Sequence, residues 1–336
     1  MRQISENFIY DLKNPDGLLH LILKRVKEDH TLQLAIRNNY INIYYRGGNI
    51  LQVTEQSKGS YETFFNKDYV KSVETLPDAP KIERKEHTEK WVNAFPQLKK
   101  VMDISFSTNT KTEREFQQLV ARENNNSTIS KESEYFITDI EFNDQELGAR
   151  FDMLAIRWLA SDRSAGRKWR AALIEMKYGD NALHDDSGLL NHIEDVNNLI
   201  DNPDKYKCLL KTMESQFRQL DELGLIKFSH SEKYNDYKNS KKEEKKGWKL
   251  NANDKPEVII ILANHNPRER TLEKRILNNE KLIEWVESGR FDLRFFVSSF
   301  AGYGLHSNCM FSLSDFRELL ERFNPKRCAA PDSNVD

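Results

Sequence analysis

The stretch AALIEMKY, residues 171–178, decides the fold prediction because only two of its residues, Glu175 and Lys177, are charged. Side chains alternate between the two faces of a β-strand, so Glu175 and Lys177 point to one face and Met176 to the other. An acid and a lysine inside an apolar strand carry a free-energy cost that a purely structural core avoids. The stretch therefore predicts a buried strand that carries side chains with a chemical role.

The run FDML, residues 151–154, places a second acid, Asp152, in apolar surroundings. If its strand pairs with residues 171–178, Asp152 joins the face that carries Glu175 and Lys177. Two carboxylates beside one ammonium can hold a divalent cation and stabilise a charged nucleophile. The alternative is a plain ion pair between Glu175 and Lys177 on an exposed sheet face. The apolar residues that precede this pair favour a strand that ends at a cleft.

Composition limits the class of protein. The 336 residues are enough for one large domain or two ordinary ones, and 38% hydrophobic residues are enough for a packed core. A net charge of -2 excludes a globally basic protein, so any nucleic-acid site has to be a local patch.

Three cysteines without metal-like spacing favour a reducing compartment. No secretory signal opens the sequence, and the longest apolar run, Val258–Ala263, is too short for a bilayer. We therefore expect a cytoplasmic protein without membrane contact.

Residues 1–76 are predicted to form a small unit that consists of a helix and a β-meander. The helix and the three strands are expected at residues 18–26, 32–36, 40–45 and 50–53. The second strand and the first residue after it carry three aromatic residues and an arginine, which are Tyr40, Tyr44, Tyr45 and Arg46. They either stack on nucleic-acid bases or a partner, or only pack as strand residues. Both interpretations stay open.

The remainder of the chain divides into three further parts. Residues 77–110 predict a helical linker whose helix is interrupted at Pro96. Residues 111–325 are the expected main domain, in which the charge-rich segment 229–255 is an insertion without a core of its own. Residues 326–336 are expected to be a disordered tail.

From Thr112 the predicted elements follow the order helix, strand, strand, strand, helix, strand. The second strand carries Asp152, and the third carries the motif Glu175-x-Lys177. This arrangement resembles the PD-(D/E)xK nuclease superfamily over roughly residues 111–264. The resemblance implies a mixed α/β (α+β) fold with a restriction-endonuclease-like αβββαβ core. Phe151 stands where the family name has proline, and the first 110 residues lie outside the resemblance.

A metal-dependent nuclease follows as the expected function, with DNA as its substrate, and the resemblance implies a role in restriction or anti-phage defence. Phosphodiester hydrolysis requires an activated water and compensation of charge on the leaving oxygen, and Mg²⁺ serves both needs through oxygen ligands. We expect Asp152, Glu175 and the Met176 carbonyl to bind Mg²⁺, with Mn²⁺ as a substitute. Lys177 is expected to orient the attacking water and to offset negative charge at phosphorus.

Two helices offer further candidates. The helix before the strands carries Glu113 and Glu115, and Glu113 lies nearer its apolar face. The resemblance implies that such a glutamate aids metal binding through water. The helix after the strands carries His192, which can reach the scissile phosphate or position the substrate. A plain surface or core role stays open for each of these residues.

The loop between the second and third strands is rich in basic residues, which are Arg163, Arg167, Lys168 and Arg170. A nucleic-acid backbone favours such a cluster beside a cleft. We therefore expect this loop to contact substrate phosphates.

Two other classes of function stay open. One is a non-catalytic nucleic-acid-binding or partner-binding protein on a nuclease-like fold, which a site unable to hold metal would indicate. The other is a metal-dependent hydrolase of a small phosphate ester, which a narrow closed pocket would indicate. The sequence does not decide between DNA and RNA, between endo- and exo-cleavage, or on the oligomeric state, a homodimer included.

Overall fold

The computed structural model of the chain contains two five-stranded sheets and helices that pack on them, a mixed α/β fold. It describes residues 1–70, 76–126, 133–165, 169–179, 188–228, 249–265, 272–298 and 310–322. The predicted tail 326–336 and most of the predicted insertion 229–255 lie outside these ranges.

The first sheet is antiparallel, with the strand order β1-β2-β3-β4-β5. Its elements are α1 (Glu6–Lys13), α2 (His20–Glu28), β1 (Leu32–Ile36), β2 (Tyr40–Tyr45), β3 (Gly48–Ser57), β4 (Ser60–Phe64), a 3₁₀ turn (Lys67–Tyr69) and β5 (Lys81–Ile82). The predicted helix and three-strand meander are confirmed. The sequence pattern missed α1, β4 and β5, because each is short and β4 buries only one aromatic side chain, Tyr61.

A long helix, α3 (Lys85–Thr108), follows this sheet and continues through Pro96, so the predicted interruption is wrong. A proline inside a helix costs about 3 kcal/mol through a lost hydrogen bond and a clash with the preceding turn. Large side chains are buried along the whole helix on both sides of the proline, among them Trp91, Phe95 and Met102. Their burial offsets that cost and keeps the helix continuous.

The second sheet is mixed, with the strand order β10-β9-β8-β7-β6. Its elements are α4 (Thr112–Asn125), β6 (Tyr135–Asp144), β7 (Ala149–Arg157), α5 (Ala160–Ala165), β8 (Arg170–Tyr178), α6 (Leu189–Ile200), α7 (Pro203–Glu222), β9 (Glu257–Ala263), a π-helix (Leu272–Leu277), α8 (Glu280–Glu287), β10 (Asp292–Ser298) and α9 (Leu313–Arg322). β6, β7 and β8 are antiparallel, and β8, β9 and β10 are parallel. The predicted order of helix, three strands, helix and strand is present, with α7 as an additional helix.

Helices cover both faces of the mixed sheet. On one face, Phe116 and Val120 of α4 share a core with Met153 and Ile174 of the central strands. On the other face, Ile193 of α6 and Leu209 of α7 belong to the core that includes Leu154 and Leu173. The alternation of apolar side chains along β7 and β8 therefore produces two cores, one on each side of the sheet.

Buried polar contacts join the first sheet to the mixed sheet. Arg37, which directly follows β1, forms a buried ion pair with Asp139 of β6. Arg2 and Gln216 also bond to Asp139, each at 2.8 Å. An unpaired buried carboxylate is costly, so removal of both arginines would destabilise the main domain. The predicted boundary at residue 76 stays a prediction.

Across the described ranges, every helix falls short of the length and apolar character that a membrane span requires.

Candidate functional site

Asp152 and Glu175 lie opposite each other on neighbouring strands. β7 and β8 pair through Met153↔Ile174, and extension of this antiparallel register by one residue places Asp152 across from Glu175. The backbone N–H of Met176 donates to Oδ2 of Asp152 at 2.8 Å. The strand pairing that the sequence predicted is therefore present, and it brings the two acids together.

The carboxylate of Glu175 lies in an environment that disfavours its charged form. Its side chain is 3% exposed, and its Oε1 atom has no hydrogen-bond partner. Burial, and then the charge of Asp152, raise the pKa of Glu175 well above its usual value. The ionised form therefore requires a positive charge that the protein itself supplies only in part.

Lys177 follows two residues later on the same face of β8 and is half-buried. No carboxylate in the described part of the chain lies within ion-pair distance of its ammonium, although the charge opposes the rise in the pKa of both Glu175 and Glu113. The structure therefore does not contain the plain ion pair between Glu175 and Lys177 that the sequence left open.

The first turn of α4 places Glu113, and not Glu115, beside these strands. Oε2 of Glu113 accepts from the backbone N–H of Tyr178 at 3.4 Å. Burial, and then the charge of Asp152, raise the pKa of Glu113. Glu115 points elsewhere and accepts from Arg46 Nε at 2.8 Å.

A further carboxylate, Glu141 of β6, was missed by the sequence reasoning. It lies between the register pairs Ile140↔Met153 and Phe142↔Phe151, and hence opposite Asp152. Its φ of 52° is unfavourable for a residue other than glycine, a kind of strain that clusters at functional sites. Burial raises the pKa of Glu141, while an ion pair of 3.0 Å with Arg114 opposes this rise. An acid within the apolar strand 135–142 was the signal that could have found it.

His192 on α6 lies over Glu175, as the helix position predicted. Its Nδ1 atom is 3.7 Å from Oε1 of Glu175, beyond hydrogen-bond distance, and Nδ1 has no partner of its own. Burial, and then the charge of Lys177, lower the pKa of His192. The imidazole is therefore neutral at pH 7, and it can donate or accept a hydrogen bond.

In the basic loop, Arg163 and Arg170 lie at the end of the strands that is opposite the acids. Arg170 lies five positions before Glu175 on β8, a distance of about 17 Å along an extended strand. Arg170 bonds to Glu257 and Asp292 instead. Arg163 is 4% exposed and donates to the carbonyl of Ser133 at 2.6 Å. These two arginines therefore have structural partners, which corrects their predicted role.

The remaining two residues of that loop, Arg167 and Lys168, lie outside the described residues, so their predicted phosphate contacts stay a prediction. The antiparallel pairing of β7 and β8 explains why Arg163 and Arg170 are far from the acids. These arginines lie where β7 ends and β8 begins, whereas Asp152 lies near the start of β7 and Glu175 near the end of β8.

The oxygen atoms of this site fit a divalent cation of the Mg²⁺ type. Asp152 uses one oxygen for the Met176 amide, and Oε1 of Glu175 accepts no hydrogen bond. Within the described ranges, no group of three or more His, Cys, Asp or Glu side chains forms a metal-binding cluster. Mg²⁺ needs fewer, because it binds one or two carboxylates and fills its remaining positions with waters and phosphate.

No family model, no curated protein and no solved structure matches this chain. The functional argument therefore depends on the residues and their geometry, and the family resemblance remains a proposal.

Proposed function

We propose that the chain is a metal-dependent hydrolase of phosphodiester bonds in nucleic acid, with DNA as the substrate. One observation carries this proposal: Oε1 of Glu175 is buried without a hydrogen-bond donor, directly across from a second carboxylate, Asp152. A buried carboxylate next to a second, half-buried carboxylate is costly, and a bound cation removes this cost.

The ligands would be Asp152, Glu175 and the Met176 carbonyl, with Mg²⁺ or Mn²⁺ as the ion. When bound, the ion supplies Lewis-acid activation of water and stabilises the charge on the leaving oxygen. Glu113 and Glu141 interact electrostatically with Asp152 and add negative charge near it.

Lys177 and His192 act on the substrate in this proposal. The ammonium of Lys177 has no ion-pair partner among the described residues, so it is available to hold a water and to offset charge on phosphate oxygens. The neutral imidazole of His192 lies on the Glu175 side and can hydrogen-bond to a phosphate oxygen without repelling a cation.

The order of elements supports a PD-(D/E)xK-like core, since a helix, three antiparallel strands, a helix and a parallel strand occur in the order the resemblance implies. On that resemblance, we propose restriction or anti-phage defence as the biological setting.

A cleavage assay tests the proposal. Plasmid, linear duplex, single-stranded DNA and RNA are incubated with the purified chain in Mg²⁺ or Mn²⁺ and, separately, in chelator. We expect cleavage of DNA only with metal, none by Glu175→Gln, and wild-type rates for Glu115→Gln, whose side chain belongs to the Arg46 ion pair. Equal cleavage in chelator, or cleavage of no substrate with either metal, overturns the proposal.

A further inference from the structure

Helix α4 carries a glutamine, Gln117, on the face that packs against the mixed sheet. The residue is 1% exposed, and neither Oε1 nor Nε2 of its side chain forms a hydrogen bond within the described part of the chain. Val120 and Ala121, which follow on the same face, belong to the core that contains Met153. A buried amide without partners is less stable in such a position than an apolar side chain of the same shape. Packing alone therefore does not explain Gln117.

Gln117 lies beside two acids of the candidate site. Glu113 precedes it by four residues, so the two side chains are neighbours on one face of α4. Arg114, three residues before Gln117, pairs with Glu141 of β6 at 3.0 Å, which brings Glu141 against this part of the helix. Burial raises the pKa of Glu141, and Arg114 and the Gln117 side chain are among the groups that oppose this rise. The amide is thus close to Glu141 without reaching a hydrogen bond of normal geometry.

The next residue, Gln118, is a structural glutamine on the same helix. It is 5% exposed, its Oε1 accepts from the backbone N–H of Gly47 at 2.8 Å, and its Nε2 donates to the carbonyl of Thr31 at 2.9 Å. Both polar atoms of Gln118 have protein partners in the first sheet and the segment before it. Gln117, which lies on the side of the acids, has no such partner among the described residues.

The chemistry of the proposed ion explains why an amide is useful at this position. Mg²⁺ gives up its waters reluctantly and usually keeps several of them, so its site needs groups that hold waters as well as groups that bind the ion. An amide offers one acceptor and two N–H donors, and can therefore bond to a water and to a carboxylate at the same time. Groups that orient the ligands of a metal in this way contribute about 10–100-fold to its affinity or to activity.

We propose that Gln117 is a positioning residue of the cation site, whose amide holds a water of the bound cation against the carboxylates of Glu113 and Glu141. Oε1 accepts from this water and Nε2 donates to a carboxylate oxygen, so the cost of the buried amide is removed when the cation is bound. This inference rests on the proposed function and deepens it, because it adds the buried face of α4 to the cation site.

The test compares Gln117→Met with the matched control Gln118→Met. Methionine is apolar, unbranched and similar in length to glutamine, so each variant removes an amide without a large change in volume. Isothermal titration calorimetry with Mg²⁺ and Mn²⁺ gives the Kd of the cation, thermal melting without the ion gives Tm, and initial rates on duplex DNA give kcat and KM.

We expect Gln117→Met to raise the Kd of the cation about tenfold and to lower kcat, with the KM for DNA unchanged. Its Tm without the ion should equal or exceed that of the wild type, because the variant removes a buried amide that has no partner. Gln118→Met should show the reverse, a lower Tm and a wild-type Kd for the cation, because it leaves the Gly47 N–H without its acceptor.

A wild-type Kd for the cation in Gln117→Met overturns the inference and leaves the proposed function intact. A fall in the Tm of Gln117→Met also overturns it, since a structural role then explains the weaker binding, and so does an equal rise of Kd in Gln118→Met. A raised Kd in Gln117→Met, together with a wild-type chain that cleaves no substrate, overturns the proposed function and leaves the inference intact. The absence of cation binding by the wild type overturns both.

Discussion

Both ends of the mixed sheet carry charged side chains, but Asp152 and Glu175 at one end form no ion pair with a lysine or arginine among the described residues, whereas the acids at the other end do. At the end where β7 stops and β8 begins, Glu257 accepts from Tyr135 at 2.6 Å and from Arg170 at 3.1 Å. Arg157 lies 3.5 Å from the same carboxylate, and Arg170 also bonds to Asp292 at 2.5 Å. Each acid at this end has a cation, so the cluster needs no ligand.

At the opposite end, Asp152 lies one residue beyond the last register pair, Met153↔Ile174, and therefore beside Glu175. Neither acid forms an ion pair with a lysine or arginine in the described part of the chain. The same strands and the same residue types are used at both ends, so neither the fold nor the composition explains the difference. We propose that a bound cation supplies the positive charge that Asp152 and Glu175 lack.

The largest expected effect lies at the end where like charges face each other. Asp152→Asn, Glu175→Gln and Lys177→Ala should each reduce the cleavage rate by about 10²–10⁴-fold, because each removes a group that acts on the transition state. Initial rates with saturating Mg²⁺ measure this, and circular dichroism confirms the fold. The two acid variants should also bind the cation more weakly, and Lys177→Ala should not. Wild-type turnover in Lys177→Ala would show that its role is assigned wrongly.

A smaller effect, on stability and not on chemistry, is expected at the paired end. Glu257→Ala leaves the half-buried Arg157 without its acid and the buried Tyr135 hydroxyl without its acceptor, and it should cost about 1–3 kcal/mol in the free energy of unfolding. Denaturant titration measures this loss. Under conditions where the variant is folded, its response to Mg²⁺ should match that of the wild type. If Glu257→Ala lost cation binding with little change in stability, the Glu257 end of the sheet would no longer be distinguished from the end that is proposed to bind a cation.

The sequence was sufficient to predict where the acids lie within regular strands. Period-two alternation placed Glu175 and Lys177 on one face, and the apolar run around Asp152 marked its strand. The helical wheel favoured Glu113 over Glu115, and the structure places Glu113 at the site. These predictions succeeded because regular strands and helices fix the direction of a side chain locally.

Features that depend on tertiary structure were missed. The positive φ of Glu141 interrupts the regular alternation of side chains along β6, and no sequence pattern predicts such a φ. The basic loop was assigned to the cleft because proximity in sequence was taken for proximity in space, whereas the hairpin places Arg163 and Arg170 at the other end.

Cation binding, measured by isothermal titration calorimetry, tests the central claim most directly. In the folded chain the pKa of Glu175 is raised, so the stability linked to its protonated form is present at acidic pH and is lost as pH rises through that pKa. A cation has to displace this proton, so binding of Mg²⁺ or Mn²⁺ should strengthen between about pH 5 and about pH 8. The account predicts this in the wild type and in Glu257→Gln, and much weaker binding in Glu175→Gln. Equal binding by Glu175→Gln, or no binding by the wild type at either pH, would contradict it.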